Sequence, residues 1–309
     1  MTLNFQERNK GQNISSSNDK FPFRYLINEP KFCNSNENLF IINFVATAPW
    51  EVMARSHIRR LWGNKKWLNM TGFKTIFLLG EARDLQQMEN VREESNKYHD
   101  MIQISFLDTY DNLTLKIMSG LHWINTFCST PAWVLKSDSD VLVNIFALSS
   151  FLHKYDEINH QRRNNFLCKK NGPVKPCRKF CEKKWQVSLK EYPFYLYPVY
   201  CLGPGYIIPR RLVATLYQAA NKTHPFRMED VYYTGLIPAE LGWGDVRENI
   251  AHHFPWRPKA WQKSFITTDL MIYELEKHIG RGASTLVWNN ILNQRGLLSN
   301  GGNRTNIAA

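Results

Sequence analysis

The chain has 309 residues, enough for one large α/β domain or two smaller ones, and its 43% hydrophobic and 13% aromatic content excludes wholesale disorder. Lys and Arg exceed Asp and Glu by 39 − 27 = 12, which favours anionic partners; the basic residues are spread along the chain, so phosphorylated small molecules fit better than nucleic acid. No run reaches the roughly 18 apolar residues of a membrane span, and Met1 to Lys20 lacks the apolar centre of a signal peptide.

Residues 1–20, rich in Asn, Ser, Gln and Lys, read as a mobile arm, and the ordered chain begins at Phe21. Leu39 to Val45 is the first buried strand, broken by Ala48-Pro49. Trp50 to Leu61 forms a helix whose Arg55 and Arg59 share one face, placed where an anion could meet a helix N-terminus. Thr75 to Leu79 is a second strand closed by Gly80, Leu85 to Lys97 a polar helix, and Met101 to Leu107 a third strand. Leu113 to Phe127 carries Leu113, Ile117, Leu121 and Ile124 on one stripe, a helix facing the core. Strands and helices alternating at this spacing predict a mostly parallel sheet flanked by helices.

Ala132 to Leu135 is a further buried strand, and it runs into Ser137-Asp138-Ser139-Asp140 before Val141-Leu142-Val143 resumes. Two carboxylates one residue apart at a strand end suit a hard divalent cation, Mg²⁺ or Mn²⁺, that bridges to substrate phosphates. Carboxyl ends of strands in open α/β sheets are also where ligands collect. A solvated turn is the plainer alternative for Asp and Ser in this pattern.

Asn159 to Lys184 reads as a basic excursion without period. Tyr192 to Tyr206, dense in aromatics, Pro and Gly, cannot be a regular helix and reads as a rigid loop wall suited to a sugar. Arg211 to Ala220 is a helix, and Glu229-Asp230 precedes an apolar, aromatic turn that hints at a buried acidic site. Leu270 to His278 reads as a late helix capped by Asp269, and residues 299–309 as a flexible tail.

Six cysteines, at 33, 128, 168, 177, 181 and 201, and five Asn-x-Ser/Thr sequons, at Asn13, Asn69, Asn112, Asn221 and Asn303, point to the secretory pathway. Disulfides are expected over zinc at Cys177-x-x-x-Cys181, because no Cys-x-x-Cys or nearby His supports a metal there. A membrane anchor or signal is then expected to lie outside this chain.

Taken together, the pieces resemble the β1,3-glycosyltransferases of glycosyltransferase family 31, above all the β1,3-galactosyltransferases. The likeness is carried in order by Phe23-Arg-Tyr-Leu-Ile-Asn-Glu-Pro30 with Cys33, Arg55-Ser-His-Ile-Arg-Arg-Leu-Trp62, Phe77-Leu-Leu-Gly80 and Asp108 to Lys116. It continues through Lys136-Ser-Asp-Ser-Asp140, Lys184-Trp185, Tyr197 to Tyr206 and Glu229-Asp-Val-Tyr232. Leu202-Gly-Pro-Gly205, and Pro209-Arg210 after it, depart from the usual galactosyltransferase pattern on the acceptor side.

The resemblance implies a GT-A type nucleotide-sugar-binding domain over residues 21–298 and a type II membrane protein of the Golgi lumen. It implies Mn²⁺ and UDP-galactose, with a glycan acceptor and no nucleic acid. Carried onto this chain, Asp140 is the direct metal ligand, Asp138 contacts metal or ribose, and Ser139 lies with them at the donor. Asp230 is the general base with Glu229 in reserve, and His252 or His253 is a further metal ligand. Arg55 and Arg59 would steer the donor. A UDP-GlcNAc or UDP-GalNAc transferase, a silent sugar-binding homologue and a Mg²⁺-dependent nucleic-acid enzyme are the rival readings.

Overall fold

The computed structural model describes residues 23–33, 38–158, 164–253, 270–274 and 280–298. The expected arm at 1–20 and tail at 299–309 lie outside the described residues. After a short edge strand β1 (Tyr25–Ile27), strand β2 (Ile41–Ala46) alternates its side chains between two apolar layers: Ile42 and Phe44 face one, Ile41 and Val45 the other. Burial on both faces is why the strand reads as an unbroken apolar run.

Helix α1 (Val52–Arg60) and the short α2 (Leu68–Thr71) follow; α2 ends at Gly72, whose φ of 62° requires glycine and whose carbonyl accepts the N–H groups of both Phe40 and Ile41. Strand β3 (Phe73–Glu81) leads to α3 (Leu85–Tyr98), capped by the Asp84 carboxylate on Gln87 N–H at 2.8 Å. Next come β4 (Met101–Leu107), α4 (Leu113–Phe127), β5 (Trp133–Asp138), β6 (Val141–Val143) and α5 (Ile145–Ile158).

With β7 (Phe166–Asn171), β8 (Tyr200–Pro209) and β9 (Arg247–Asn249), eight strands make the main sheet in the order β1-β4-β3-β2-β5-β8-β7-β9. The run β4-β3-β2-β5 is parallel, β7 and β9 are parallel, and β1, β5–β8 and β8–β7 contacts are antiparallel. The chain winds from β2 through β3 to β4 in one direction and returns to β5 on the other side of β2. That reversal is a topological switch point, which opens a crevice at the carboxyl ends of β2 and β5. Helices α4 and α6 (Val213–Lys222) cover one face, and α1, α3, α5 and α9 (Gly280–Gln294) the other.

Three expectations are corrected. The segment read as an aperiodic excursion contains β7 (Phe166–Asn171), and the supposed loop wall contains much of β8 (Tyr200–Pro209). Gly203, Pro204 and Gly205 disguise β8, but the β7–β8 register is shifted between Cys168 and Lys170, and that irregularity tolerates a proline. The late helix is instead β10 (Ile272–Glu274), paired antiparallel with β6, while 275–279 lie outside the described residues. Short apolar runs do not distinguish strand from helix.

All six cysteines pair, as Cys33–Cys128, Cys168–Cys201 and Cys177–Cys181, so no thiol remains for zinc. The motif Asp108 to Lys116 is structural. Gly80 N–H donates to Asp108 at 2.7 Å, Lys116 Nζ meets the same carboxylate at 2.9 Å, and Lys116 also donates to Thr47 O at 2.7 Å just beyond β2. A Cβ at position 80 would come within 2.7 Å of the Phe106 carbonyl oxygen. Gly80→Ala is therefore expected to lower stability by about 1–3 kcal/mol. The check is a urea titration in which the midpoint falls and the slope is unchanged.

Candidate active site

The crevice is organised by a lysine. Lys136 sits in β5 with its side chain fully buried, and a buried ammonium must find anions and acceptors. Its Nζ donates to Asp138 Oδ1 at 2.8 Å, Gly203 O at 2.7 Å and Glu229 Oε1 at 2.5 Å. Tyr206, the cross-strand neighbour of Lys136 in β8, donates its hydroxyl to Glu229 Oε2 at 2.8 Å. One ammonium thus ties the acidic end of β5 to β8 and to α7 (Glu229–Val231).

From α7 the chain continues through a π-helical turn, Tyr232–Leu236, into α8 (Ile237–Glu240), so the expected aromatic turn is a helix. The π turn carries a side-chain bond: Thr234 Oγ1 donates to Asp230 O at 2.5 Å. Asp230 is half-buried, with Oδ1 accepting Val231 N–H at 2.8 Å. A Cβ at Gly203 would stand 3.3 Å from Asp230 Oδ2, so the bare backbone of β8 lets the two approach.

Titration follows from these contacts. Burial pushes Glu229 up to about 7, against the pull of Lys136 and with the push of Asp230. Asp230 is raised as well, by burial first, although Val231 N–H and Lys136 oppose it. For Lys136, burial pulls down, but Asp138 and Glu229 outweigh it and hold the ammonium above its ordinary range. Tyrosines ring the acids. Tyr110 is pushed up to about 12 by burial and then by Asp230, with the Trp185 hydrogen bond opposing. Tyr200, bonded by Asn171 Nδ2 at 2.7 Å, is pushed up to about 12 by burial and then by the same carboxylate.

At the strand end, Asp138 is level with Ala46 of β2, and Ser139 Oγ donates to Glu51 Oε1 at 3.0 Å. Glu51 Oε2 in turn accepts Ala48 N–H at 2.7 Å, which ties the acidic turn to the loop after β2. His252 and His253 form a single helical turn. The His253 ring packs 5.0 Å from Phe151 and 3.9 Å from His252. Among the described residues no three His, Cys, Asp or Glu side chains converge to hold a metal, so Asp138, Asp140, His252 and His253 are not gathered as one ligand set.

Arg55 and Arg59 require a correction. They do share a helix face, but that face is turned to α3 rather than to a ligand. Arg55 is fully buried, forked onto Glu94 at 2.9 and 2.6 Å, and it donates to the Ala48 and Pro49 carbonyls. Arg59 is forked onto Asp100 at 2.8 Å for both bonds and also reaches Glu94. Arg55 thereby fixes the loop after β2, and the carboxylate partners, 39 and 41 residues away in sequence, lie beyond reach of local spacing.

Lys136, Tyr206, Gly203 and Tyr110 lie inside the motifs but were given no individual role at the site, and Glu51 lies outside all of them. One signal was available: a lysine inside the apolar run Trp133-Val-Leu-Lys136 must be buried and paired. A cavity of about 730 Å³ lined by Tyr192, Lys222, Phe226, Tyr232 and Glu240 lies on another side of the α7–α8 run and includes none of Asp138, Asp140 or Asp230.

A family model described as galactosyltransferase matches residues 53–244. Mouse beta-1,3-galactosyltransferase 1 is 36% identical over 222 residues, 71% of this chain and 66% of that protein, and the human form gives the same values. Human beta-1,3-galactosyltransferase 2 is 34% identical over 226 residues, 72% of this chain and 52% of that protein. The chain therefore spans just under two thirds of the first relatives and about half of the second. A solved galactosyltransferase in complex with donor and acceptor sugar analogues is 11% identical, with a TM-score of 0.40, over 83% of this chain and 100% of its own.

A pH test follows from Glu229. Its folded value, about 7, lies above the unfolded value near 4.5, so the folded state retains a proton that the unfolded state releases. Stability from this group is fully present below pH about 4.5 and is lost as pH rises through about 7. Urea midpoints at pH 5 and pH 8 should differ in that direction, and Glu229→Gln should remove most of the difference.

Proposed function

The chain belongs to the galactosyltransferase family, and on that premise we propose that it is an inverting β1,3-galactosyltransferase of GT-A type. It would move galactose from UDP-galactose to the 3-hydroxyl of a terminal N-acetylhexosamine or hexose on a glycan. The observation that carries this reading is the Lys136 hub, which joins the acidic strand end to Glu229, the residue next to Asp230 at the start of α7.

In this reading Asp230 is the general base. It is half-buried, close to bare backbone at Gly203, and its raised pKa makes it a better proton acceptor than an exposed carboxylate. It takes the proton of the acceptor hydroxyl while that oxygen attacks the anomeric carbon opposite UDP, and the single displacement inverts configuration. Glu229, held on both oxygens by Lys136 and Tyr206, is better suited to positioning α7 than to proton transfer. Tyr110, Trp185 and Tyr200 wall the acceptor side.

The donor set fits a hard divalent ion in part. Asp140, with Asp138 and Ser139 beside it at the end of β5, would hold such an ion, and Asp138 is at the same time bonded by the Lys136 ammonium. When bound, Mn²⁺ would neutralise charge on the departing diphosphate. Three disulfides fit an oxidising compartment, which supports a place in the Golgi lumen.

A donor panel tests the reading: UDP release from UDP-Gal, UDP-GlcNAc and UDP-GalNAc with Mn²⁺ or EDTA, over β-GlcNAc, β-Gal and GalNAc acceptors. Acceptor-stimulated, metal-dependent release from UDP-Gal is expected, and release from another donor instead would reassign the sugar. Asp230→Asn should cut turnover by roughly 10²–10⁴-fold while UDP affinity is retained. Asp140→Ala should abolish the metal dependence of UDP binding. UDP binding without turnover in the unaltered chain would leave a silent sugar-binding homologue.

A further inference from the structure

Between β7 and β8, residues 172–199 form a small lobe with strong internal ties. The Arg178 guanidinium donates to four carbonyls, those of Val187 and Ser188 at 2.9 Å, Tyr192 at 2.8 Å and Phe194 at 3.0 Å. The Cys177–Cys181 disulfide closes a five-residue loop, Val187 N–H donates to Cys177 O at 2.8 Å, and Gln186 Nε2 donates to Cys181 O at 2.9 Å. Three turns are thereby gathered round one cation.

This rigid lobe displays apolar side chains outward. Phe180 is fully exposed at the tip of the disulfide loop, with a φ of 66° that few non-glycine residues adopt. Leu189 and Tyr195 are 68% and 69% exposed, and Trp185 and Leu196 project partly. Between them stand six basic residues, Lys175, Arg178, Lys179, Lys183, Lys184 and Lys190, against two acids, Glu182 and Glu191, a net charge of 6 − 2 = +4. Both acids are already engaged, by Lys184 and by Arg227. Lys175, Lys179, Lys183 and Lys190 are exposed and have no carboxylate partner among the described residues.

We propose that this lobe docks the domain on an anionic lipid bilayer, with Phe180, Leu189 and Tyr195 in the headgroup–acyl boundary and the four lysines at lipid phosphates. Large apolar tips interleaved with lysine are the composition of an interfacial membrane contact, in which lysine stems lie along apolar surface with their charge in water. The cores of protein–protein interfaces are depleted of lysine, which disfavours a protein partner. The lobe also borders the acceptor wall: Lys184 Nζ lies 4.5 Å from the Trp185 ring centroid and 5.9 Å from that of Tyr110. The docking itself does not depend on the transferase reading.

The experiment is flotation of the purified chain with phosphatidylcholine vesicles, with and without phosphatidylserine, at low and high salt. Binding to the anionic vesicles that weakens with salt is expected. Phe180→Ser with Leu189→Ser should weaken it roughly tenfold or more, and Lys179→Gln with Lys183→Gln by about fivefold for each lysine removed. UDP affinity and the urea midpoint, unchanged in both variants, report an intact fold. No binding to anionic vesicles, or binding that both variants retain, overturns the proposal. So does lipid-free self-association that Phe180→Ser and Leu189→Ser abolish, because the patch would then be an interface between copies of this chain.

Discussion

A single buried ammonium, that of Lys136, holds the crevice together. Its side chain has no access to water, so its charge is stable only because Asp138, Glu229 and the Gly203 carbonyl surround it. Each of those groups belongs to a different piece of chain: the end of β5, the start of α7 and the irregular part of β8. Removing one member of such a cluster leaves an uncompensated buried charge, commonly a loss of about 3–5 kcal/mol. The same contact that secures the fold therefore fixes how far Asp230 stands from the acidic strand end.

The other buried cations do comparable work. Arg55 clamps the loop after β2 through Ala48 and Pro49, and Lys116 reaches Thr47 from α4. Lys74 donates to Phe32 O and secures the N-terminal segment against the sheet. A formal charge of +12 is thus divided between interior fasteners and a solvent-facing remainder, part of which is concentrated in the lobe after β7. Overall charge alone says little about which partner such a protein meets.

The parallel half of the sheet was legible because each of its strands is buried on both faces and leaves a continuous apolar run. Met101 to Leu107 and Leu113 to Phe127 fall on the observed bounds of β4 and α4. β7 and β8 were hidden because a register shift, a proline and two glycines blur the period, and a disulfide between them carries what patterning does not. Ile272–Glu274 was read as a helix because a strand that pairs with only three residues has too little length to show its period. At the site, Asp138, Asp140, Glu229 and Asp230 stood out as acids in apolar settings. The lysine between them did not, because its partner Glu229 is 93 residues away. Arg55 and Arg59 show the converse: local spacing gave their shared face correctly but carried no information on what that face meets.

The charge balance of the crevice also bears on its ligand. Asp138 and Glu229 bond one ammonium and Asp230 stands beside Glu229, so with all three ionised the cluster carries an excess of negative charge. Glu229, with its pKa pushed up to about 7, sheds part of that excess by holding a proton near neutrality. A nucleotide diphosphate is itself anionic, and the two arginines nearest the β2 loop are already forked onto Glu94 and Asp100. Seating such a donor against Asp138 and Asp140 would set like charges within a few ångströms, at a cost that rises as water is excluded. A divalent cation held by Asp138 and Asp140 would offset that repulsion.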